Sequence, residues 1–257
     1  MIFRSLMLMI FFATTFPQSL MAKDFVAHCR NYPPDLYFQK NQCLGAVPDL
    51  VNDIFEELGH NIFWVKAPWL RSLKDAKEGR VDILVRHSMT PERASFLLPI
   101  KYEDRTRQLL FFKSPALQSD ITSYEDLQKV VVGAIHGVFY SPQFSAMDTR
   151  RVIFVEETEQ LVSMLALNRI DIAVTSESHN RESFDRQFEK SDFTETFYNP
   201  HYISIPKSSP AMEYYDEVAD LMAKYRELNK IEPYFEKHNL KLQKSIPENT
   251  HHTLRDK

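Results

Sequence analysis

The chain has 257 residues, of which 31 are basic and 35 acidic, and its formal net charge at pH 7 is -4. This mildly acidic balance argues against nucleic acid as a partner. Hydrophobic residues make up 44% of the chain, which is enough for one large domain or two small ones with a core in each, and this excludes a largely disordered protein.

The first residues have the pattern of a secretory signal peptide. Arg4 precedes an apolar run from Leu6 to Ala13, and the small residue Ala22 closes the segment. The run is shorter than the roughly 18 apolar residues that a membrane-spanning helix needs, so a short membrane anchor is the weaker alternative. We therefore expect residues 1–22 to be cleaved and the remaining chain to be periplasmic.

Two cysteines, Cys29 and Cys43, are present in the whole sequence. Export would place them in an oxidising compartment, where a disulfide between them persists. The alternative is a pair of buried free thiols. With no further cysteine nearby, the sequence gives no support for a structural zinc site.

Strand and helix patterns alternate along the chain after the signal segment. Strands are predicted at residues 25–29, 62–65, 81–85, 108–112, 130–135, 152–155, 171–174 and 202–205. Helices are predicted at residues 48–58, 69–78, 123–127 and 158–167, with two more beginning near residues 209 and 231. This order predicts an α/β fold with a mostly parallel sheet covered by helices.

A two-domain arrangement would have to be joined by extended segments, because only five glycines occur and none forms a flexible linker. The predicted crossing points lie near residues 104–112 and 199–205, which is a hinge geometry. We predict a first lobe from residues 23–105 plus 201–245 and a second lobe from residues 106–200. Residues 246–257 are predicted to be a polar tail.

Catalytic signatures are not found in the sequence. It has no G-x-S-x-G elbow, no H-E-x-x-H pair and no P-loop. The histidine pair His251-His252 lies in the polar tail, where solvent exposure is a simpler reading than metal binding. We therefore expect no catalytic residue, no metal and no cofactor.

A group of cationic and polar residues follows the third predicted strand. Arg86, His87 and Ser88 come directly after that strand, and the next helix presents Arg93 in its first turn. Ligands of α/β sheets gather beyond the carboxyl ends of the strands. Two cations and a hydroxyl near a helix start predict a site for a carboxylate or another small anion, and Trp69 lies at the same edge, where it can cover an organic ligand.

Several motifs share their order and spacing with one known family. They are PW-x-R-x-L, A-x-x-G-x-V-D and S-x-T-P-E-R in residues 68–93, GAVPDLVNDI in residues 45–54, SYEDL-x-x-VVVGAIHG in residues 123–137 and L-x-x-NRIDIAV in residues 165–174. Together they resemble the bacterial extracellular solute-binding proteins of family 3, the periplasmic receptors for polar amino acids and related solutes. The resemblance covers residues 25 to about 240.

The resemblance implies a type II, two-lobed Venus-flytrap receptor that closes on its ligand through a two-stranded hinge. Arg93 matches the arginine that pairs with the ligand carboxylate, and Ser88 matches a hydroxyl that bonds it. Tyr32 and Trp69 match the aromatic positions that sandwich the solute, and Gly137 begins the segment that donates backbone N–H groups. The alternatives are that Trp69 only packs in the core and that Ser88 only caps a turn.

Two positions depart from the family pattern. Where the amino-acid receptors have an aspartate for the α-ammonium group, this chain has Ser176, with Glu177 as its neighbour. The small hydroxyl residues that follow the equivalent of Gly137 are replaced by Val138 and Phe139. These departures argue against an ordinary α-amino acid as the ligand.

Three arginines, Arg71, Arg86 and Arg93, suggest a solute with carboxylate character. The alternative for each is an ion pair with an acidic neighbour such as Glu92 or Asp104. The ligand-binding residues predicted from the pattern and the resemblance are Tyr32, Trp69, Arg71, Arg86, Ser88, Arg93, Gly137, Phe139, Ser176 and Glu177.

The sequence therefore predicts a monomeric periplasmic solute-binding protein that captures a small polar or carboxylate-bearing solute, without transforming it, for an ABC transporter permease. A first alternative is a sensory receptor that reports the solute to a membrane signalling protein. A second alternative is a cyclic-acid dehydratase-like enzyme on the same fold, in which Glu177 acts as an acid.

Overall fold

The computed structural model describes residues 22–177 and 181–242. Its strands are β1 Asp24–Cys29, β2 Tyr37–Gln39, β3 Gln42–Leu44, β4 Asn61–Lys66, β5 Leu84–His87, β6 Leu97–Glu103, β7 Thr106–Lys113, β8 Val132–Ile135, β9 Val152–Val155, β10 Ile172–Ser176, β11 Lys190–Tyr198 and β12 His201–Pro206. Its helices are α1 Ala46–Glu57, α2 Trp69–Lys77, α3 Pro91–Ala94, α4 Tyr124–Leu127, α5 Pro142–Ala146, α6 Thr158–Ala166, α7 Arg181–Asp185, α8 Tyr215–Glu227 and α9 Glu232–Lys237. Residues 1–21 of the predicted signal peptide and the predicted tail lie outside the described residues.

The strands form two groups of sheets. In the first group, β1 pairs with β4, and a bridge from Ala27 to Ile83 joins this pair to the three-stranded sheet β5-β12-β6. The second group is the five-stranded sheet β11-β7-β10-β8-β9. The chain passes from the first group to the second after Glu103 and returns after Tyr198. The lobe limits that we predicted from the sequence stay a prediction.

The sheets are mixed, so the expectation of a mostly parallel sheet is wrong. Pairs β1-β4, β8-β9 and β8-β10 are parallel, but β7 runs antiparallel to β10 and β11, and β12 runs antiparallel to β5 and β6. A parallel neighbour requires a crossover connection, usually a helix. Strand β7 instead follows β6, and β12 follows β11, through short connections without a helix, and each of these connections passes from one group of sheets to the other.

Each group of sheets has its own hydrophobic core. In the first, Phe25 of β1 packs edge-to-face on Phe55 of α1, and both side chains are buried. Helix α1 buries Leu50 and Ile54 on the face that the sequence spacing predicts. In the second, Phe111 of β7 is fully buried among the side chains of β8, β10 and α5. Two separate cores allow the groups to act as stable units.

A disulfide joins Cys29, at the end of β1, to Cys43 in β3, with their Cα atoms 5.9 Å apart. The predicted bridge is therefore confirmed in the structure. It closes the segment that carries Tyr32 and Asp35 onto the first group of sheets.

Removing the disulfide should destabilise the protein without changing its fold. We expect the double variant Cys29→Ser/Cys43→Ser to lose about 3 kcal/mol of unfolding free energy, because a loop of this length gains that much freedom in the unfolded chain. Urea denaturation of the variant and of the oxidised parent measures the loss. Identical midpoints in the two proteins would show that the bridge contributes no stability.

Candidate functional site

A cavity of about 500 Å³ lies between the two groups of sheets, with residues of both groups in its wall. Four arginines line it: Arg30, Arg86 and Arg93 from the first group and Arg107 from the second. The predicted residues Tyr32, Trp69, Ser88 and Phe139 line it too. Concave sites of this size with a few convergent polar groups are typical of small-molecule binding.

Helix α3 places Arg93 in the cavity wall. The Thr90 hydroxyl accepts a hydrogen bond from the Arg93 backbone N–H at 3.2 Å, and Pro91 occupies the first helical turn. The side chain of Arg93 turns inward, so that only 7% of the residue is exposed. The sequence pattern Thr-Pro-Glu-Arg thus forms a short capped helix that fixes the guanidinium.

The Arg93 guanidinium holds two backbone carbonyls. Its Nη1 donates to the Ser88 carbonyl at 2.5 Å and its Nη2 to the Gly137 carbonyl at 2.9 Å. The Trp69 ring lies beside it, 5.1 Å from the guanidinium carbon. Burial lowers the pKa of Arg93 to about 10; the Glu92 charge opposes this shift and the Arg107 charge adds to it, and Arg93 stays charged at neutral pH. A fixed cation in a cavity wall is suited to bind an anion.

Gly137 joins the two groups of sheets. Its carbonyl also accepts a hydrogen bond from Trp69 Nε1 at 2.8 Å, so α2 and α3 both contact the loop after β8. The residue has a φ of +72°, and a Cβ atom there would lie 2.6 Å from Leu70 Cδ2. Glycine therefore allows this loop to lie directly on α2.

Arg86 lines the cavity but already has a counter-charge. Its Nε lies 3.0 Å from Asp35 Oδ1, and its guanidinium carbon lies 3.5 Å from the centre of the Tyr32 ring. Burial lowers its pKa, but the neighbouring Tyr32 and Asp35 outweigh this and raise the pKa above the usual value. Arg86 thus forms the ion pair with an acidic residue that we gave as the alternative to ligand binding. Its partner is Asp35, and not Glu92 or Asp104.

Arg30 and Arg107 line the cavity, and the sequence reasoning missed both. Arg30 donates to the carbonyls of Val85 and Arg86, and its guanidinium carbon lies 4.6 Å from the centre of the Trp69 ring. A signal for Arg30 was available, since it directly follows the carboxyl end of β1, as Ser88 follows that of β5. Arg86 and His87, which we predicted to follow the strand, are its last two residues.

Arg107 is near the start of β7, where the strand rule gives no signal. Its guanidinium donates to the Phe139 carbonyl at 2.7 Å and to the Ser176 hydroxyl at 3.3 Å. Because β7 runs antiparallel to β10, with Leu109 opposite Ser176, Arg107 lies beyond the carboxyl end of β10. The position where the resemblance implies an acid therefore holds a hydroxyl with a guanidinium beside it.

Four of the predicted ligand-binding residues do not line the cavity. Arg71 has a 65% exposed side chain and pairs with Asp75 at 3.2 Å, so it does not line the cavity. Glu177 accepts a hydrogen bond from the Gln108 backbone N–H at 2.8 Å and lies outside the lining, and Ser176 is buried behind Arg107. Gly137 contributes the contacts already described. Whether any predicted residue binds a ligand stays a prediction.

The outer edge of the cavity is acidic on one side. Glu156, Glu157 and Glu159, at and before the start of α6, are exposed lining residues. Lys66, at the end of β4, is an exposed cation of the lining. The buried part of the wall is thus cationic, and most of the exposed charges are anionic.

His87 gives the site a testable pH dependence. It is buried, with Nε2 2.9 Å from the Ser204 hydroxyl, and burial, followed by the charge of Arg93, lowers its pKa to about 3. The unfolded chain binds this proton at about pH 6.5, so stability falls as pH drops below that value, by at most about 1.4 kcal/mol per pH unit.

We expect His87→Gln to lose this part of the pH dependence, because glutamine does not titrate. Unfolding free energies of the parent and the variant, measured between pH 7 and 4, should differ in slope by about one proton. Parallel curves for the two proteins would show that His87 is not held neutral in the folded state.

The described residues contain neither a metal-binding cluster nor a membrane-spanning helix. Between residues 22–177 and 181–242, no three histidine, cysteine or acidic side chains are grouped so that they could hold a metal ion. In the same part of the chain, no helix has the length and apolar character needed to cross a membrane.

Comparisons with known proteins agree with the resemblance. Residues 25–134 match the model of the bacterial extracellular solute-binding proteins, family 3, which confirms the resemblance over that part of the chain. No curated protein sequence matches the chain. Several solved structures share its fold, which is the mixed α/β fold of type II periplasmic binding proteins.

Three of these structures are representative. A histidine kinase sensor domain with similarity to periplasmic binding proteins is 16% identical, covers 87% of this chain and 98% of its own, and has a TM-score of 0.68. A mutant of ArgBP from T. maritima is 16% identical, with 85% and 95% covered and a TM-score of 0.67. The ancestral amino acid-binding protein AncCDT-1, a precursor of cyclohexadienyl dehydratase, is 20% identical, with 84% and 95% covered and a TM-score of 0.64.

Proposed function

We propose, on the premise that the chain is a family 3 solute-binding protein, that it is an exported receptor that captures a small carboxylate-bearing solute and releases it unchanged. The solute would bind in the cavity between the two groups of sheets. The observation that carries the proposal is Arg93, a buried guanidinium in the cavity wall whose hydrogen bonds go to neutral carbonyls. A carboxylate would give it the counter-charge that these carbonyls do not supply.

Closure of the two groups on the solute would supply much of the affinity. The Gly137 loop of the second group already contacts Trp69 and Arg93 of the first, so the solute would lie next to a contact that exists without it. Excluding water from the cavity strengthens each charge-assisted bond inside it. The two connections between the groups, after Glu103 and after Tyr198, are the segments that would bend.

Two membrane partners suit this receptor, an ABC transporter permease and a signalling protein. The family match supports the first, and the similarity to the fold of a histidine kinase sensor domain supports the second. We propose the permease, with export to the periplasm and function as a monomer, because residues 25–134 match the family model, whereas the sensor domain is similar in fold alone.

A ligand screen on the purified chain without residues 1–22 tests the proposed function. The panel contains amino acids, monocarboxylates, dicarboxylates and polyamines, and thermal stabilisation is measured and then confirmed by calorimetry. We expect at least one carboxylate to bind with 1:1 stoichiometry and polyamines not to bind. Absence of binding across the whole panel would overturn the proposal.

The same screen distinguishes a receptor from the alternative, a dehydratase-like enzyme. The observation that favours this alternative is the fold shared with a dehydratase precursor. Proton NMR of each binding solute after prolonged incubation should show the solute unchanged. Appearance of a dehydrated product would establish the enzyme. The position of Glu177, outside the cavity lining, gives no support to its predicted role as an acid.

A further inference from the structure

The inner wall of the cavity carries more positive charge than the protein neutralises. Of its four arginines, Arg86 has a carboxylate, Asp35, at 3.0 Å. In the part of the chain that the structure describes, the hydrogen bonds of Arg30 and Arg93 go to backbone carbonyls, and those of Arg107 go to a carbonyl and a hydroxyl. Among the described residues, three guanidiniums therefore share one cavity with no carboxylate within ion-pair distance of them.

Three neighbouring guanidiniums without ion pairs lower the stability of the unliganded protein. Burial is the largest effect and lowers the pKa of all three guanidiniums. Glu92 partly offsets this for Arg93 and Glu177 for Arg107, and a neighbouring arginine lowers the pKa of each further: Arg86 for Arg30 and Arg107, and Arg107 for Arg93. Buried charges are stable when they are paired. A ligand that brings negative charge into the cavity would remove this repulsion, and a ligand with several negative groups would remove more of it.

The geometry separates the cations into two places. Arg93 reaches the Gly137 carbonyl from α3, and Arg107 reaches the Phe139 carbonyl from β7, so the two guanidiniums hold the same loop two residues apart. Arg30 belongs with Arg93, because both guanidiniums face the Trp69 ring, with centroid distances of 4.6 and 5.1 Å. One place is formed by Arg30 and Arg93 and the other by Arg107. A compact anion can contact only one of them, whereas a solute with two anionic groups can contact both.

The exposed acids at the cavity edge favour the same orientation. Glu156, Glu157 and Glu159 repel negative groups from the start of α6. An anionic solute would therefore keep its charged ends at the arginines of the inner wall. The cation at Arg107 likewise opposes an ammonium group beside Ser176.

We propose that the solute is a dicarboxylate, bound with one carboxylate at Arg93, with Arg30 beside the same Trp69 ring as a second cation, and the other carboxylate at Arg107. This inference rests on the proposed function and narrows its solute class. It assigns binding roles to Arg30 and Arg107.

Calorimetric titration with matched acids tests the inference. The probes are succinate, glutarate and adipate, which differ in the spacing of their carboxylates, with butyrate as a monocarboxylate, inorganic phosphate as a compact anion, and glutamine and arginine as amino acids. We expect one dicarboxylate to bind at least about 100-fold more tightly than butyrate, because a second buried charge-assisted contact forms.

Variants of Arg107 test whether its guanidinium binds the second carboxylate. Arg107→Gln should reduce the preference for the dicarboxylate over butyrate to less than about threefold while butyrate affinity stays within about threefold of the parent. Arg107→Lys keeps the charge and should keep part of the preference, which a purely structural role would not predict. Arg186→Gln, on the exposed end of the second group, is the matched control and should leave the preference unchanged.

The outcomes separate this inference from the proposed function. If butyrate, phosphate or an amino acid binds as tightly as the best dicarboxylate, or if Arg107→Gln weakens all solutes equally, the dicarboxylate assignment is wrong and the receptor function stands. If no probe and no member of the larger panel binds, both are wrong. Circular dichroism and the melting temperature of each unliganded variant establish that it is folded.

Discussion

Replacing Arg93 by glutamine should weaken solute binding by about 100-fold, equivalent to about 3 kcal/mol, because the substitution removes a charge-assisted contact in a buried site. The stability of the unliganded protein should change little. The variant loses the bonds to the Ser88 and Gly137 carbonyls, but it also removes an uncompensated buried charge. Calorimetric titration of the carboxylate that binds the parent most tightly measures the effect.

The control for this experiment is Arg186→Gln, which removes an equally charged side chain that is 75% exposed and pairs with Glu182. It should bind the solute as the parent does. If Arg93→Gln binds with the affinity of the parent, the guanidinium in the cavity wall does not hold the solute and the assignment of Arg93 fails.

The second large effect is expected at Gly45, which precedes helix α1. Its φ is +125°, and a Cβ atom there would lie 2.4 Å from the Asp35 carbonyl oxygen and 2.7 Å from its carbon. Both are backbone atoms that no side-chain rotation can move away. We therefore expect Gly45→Ala to lower the unfolding free energy by more than about 3 kcal/mol, as measured by urea denaturation.

Gly59 provides a matched control, because its φ is also positive, +79°, but a Cβ atom there would meet no other atom within 4 Å. Gly59→Ala should cost about 1 to 2 kcal/mol, the penalty of the left-handed backbone alone. Equal losses in the two variants would show that the close approach of Gly45 to Asp35 is not important. Because Asp35 pairs with Arg86, a folded Gly45→Ala variant should also bind the solute less tightly.

The sequence predicted those elements whose signals are local. The spacing of Leu50 and Ile54 and the glycine at residue 59 predict a helix at residues 48–58, and the structure has it at Ala46–Glu57. Proline and glycine likewise mark α2, predicted at residues 69–78 and found at Trp69–Lys77. Thr90 and Pro91 are a local helix-start signal of the same type, and they allowed Arg93 to be predicted in the first turn of a helix.

Features that depend on pairing between distant strands were not predicted. Strand β11, Lys190–Tyr198, is partly exposed and contains many polar residues, so its sequence has no hydrophobic alternation strong enough to reveal it. Its antiparallel pairing with β7, and that of β7 with β10, place Arg107 at the cavity. The partner of Arg86 was missed for a similar reason, because Asp35 is 51 positions away along the chain and lies in the segment that the disulfide closes.

A crystal structure of the protein with its tightest-binding carboxylate is the most direct test of the account. It should show a carboxylate in the cavity between the two groups of sheets, with its oxygens within about 3 Å of the Arg93 guanidinium nitrogens. A solute bound elsewhere on the protein, or bound in the cavity with no contact to Arg93, would contradict it.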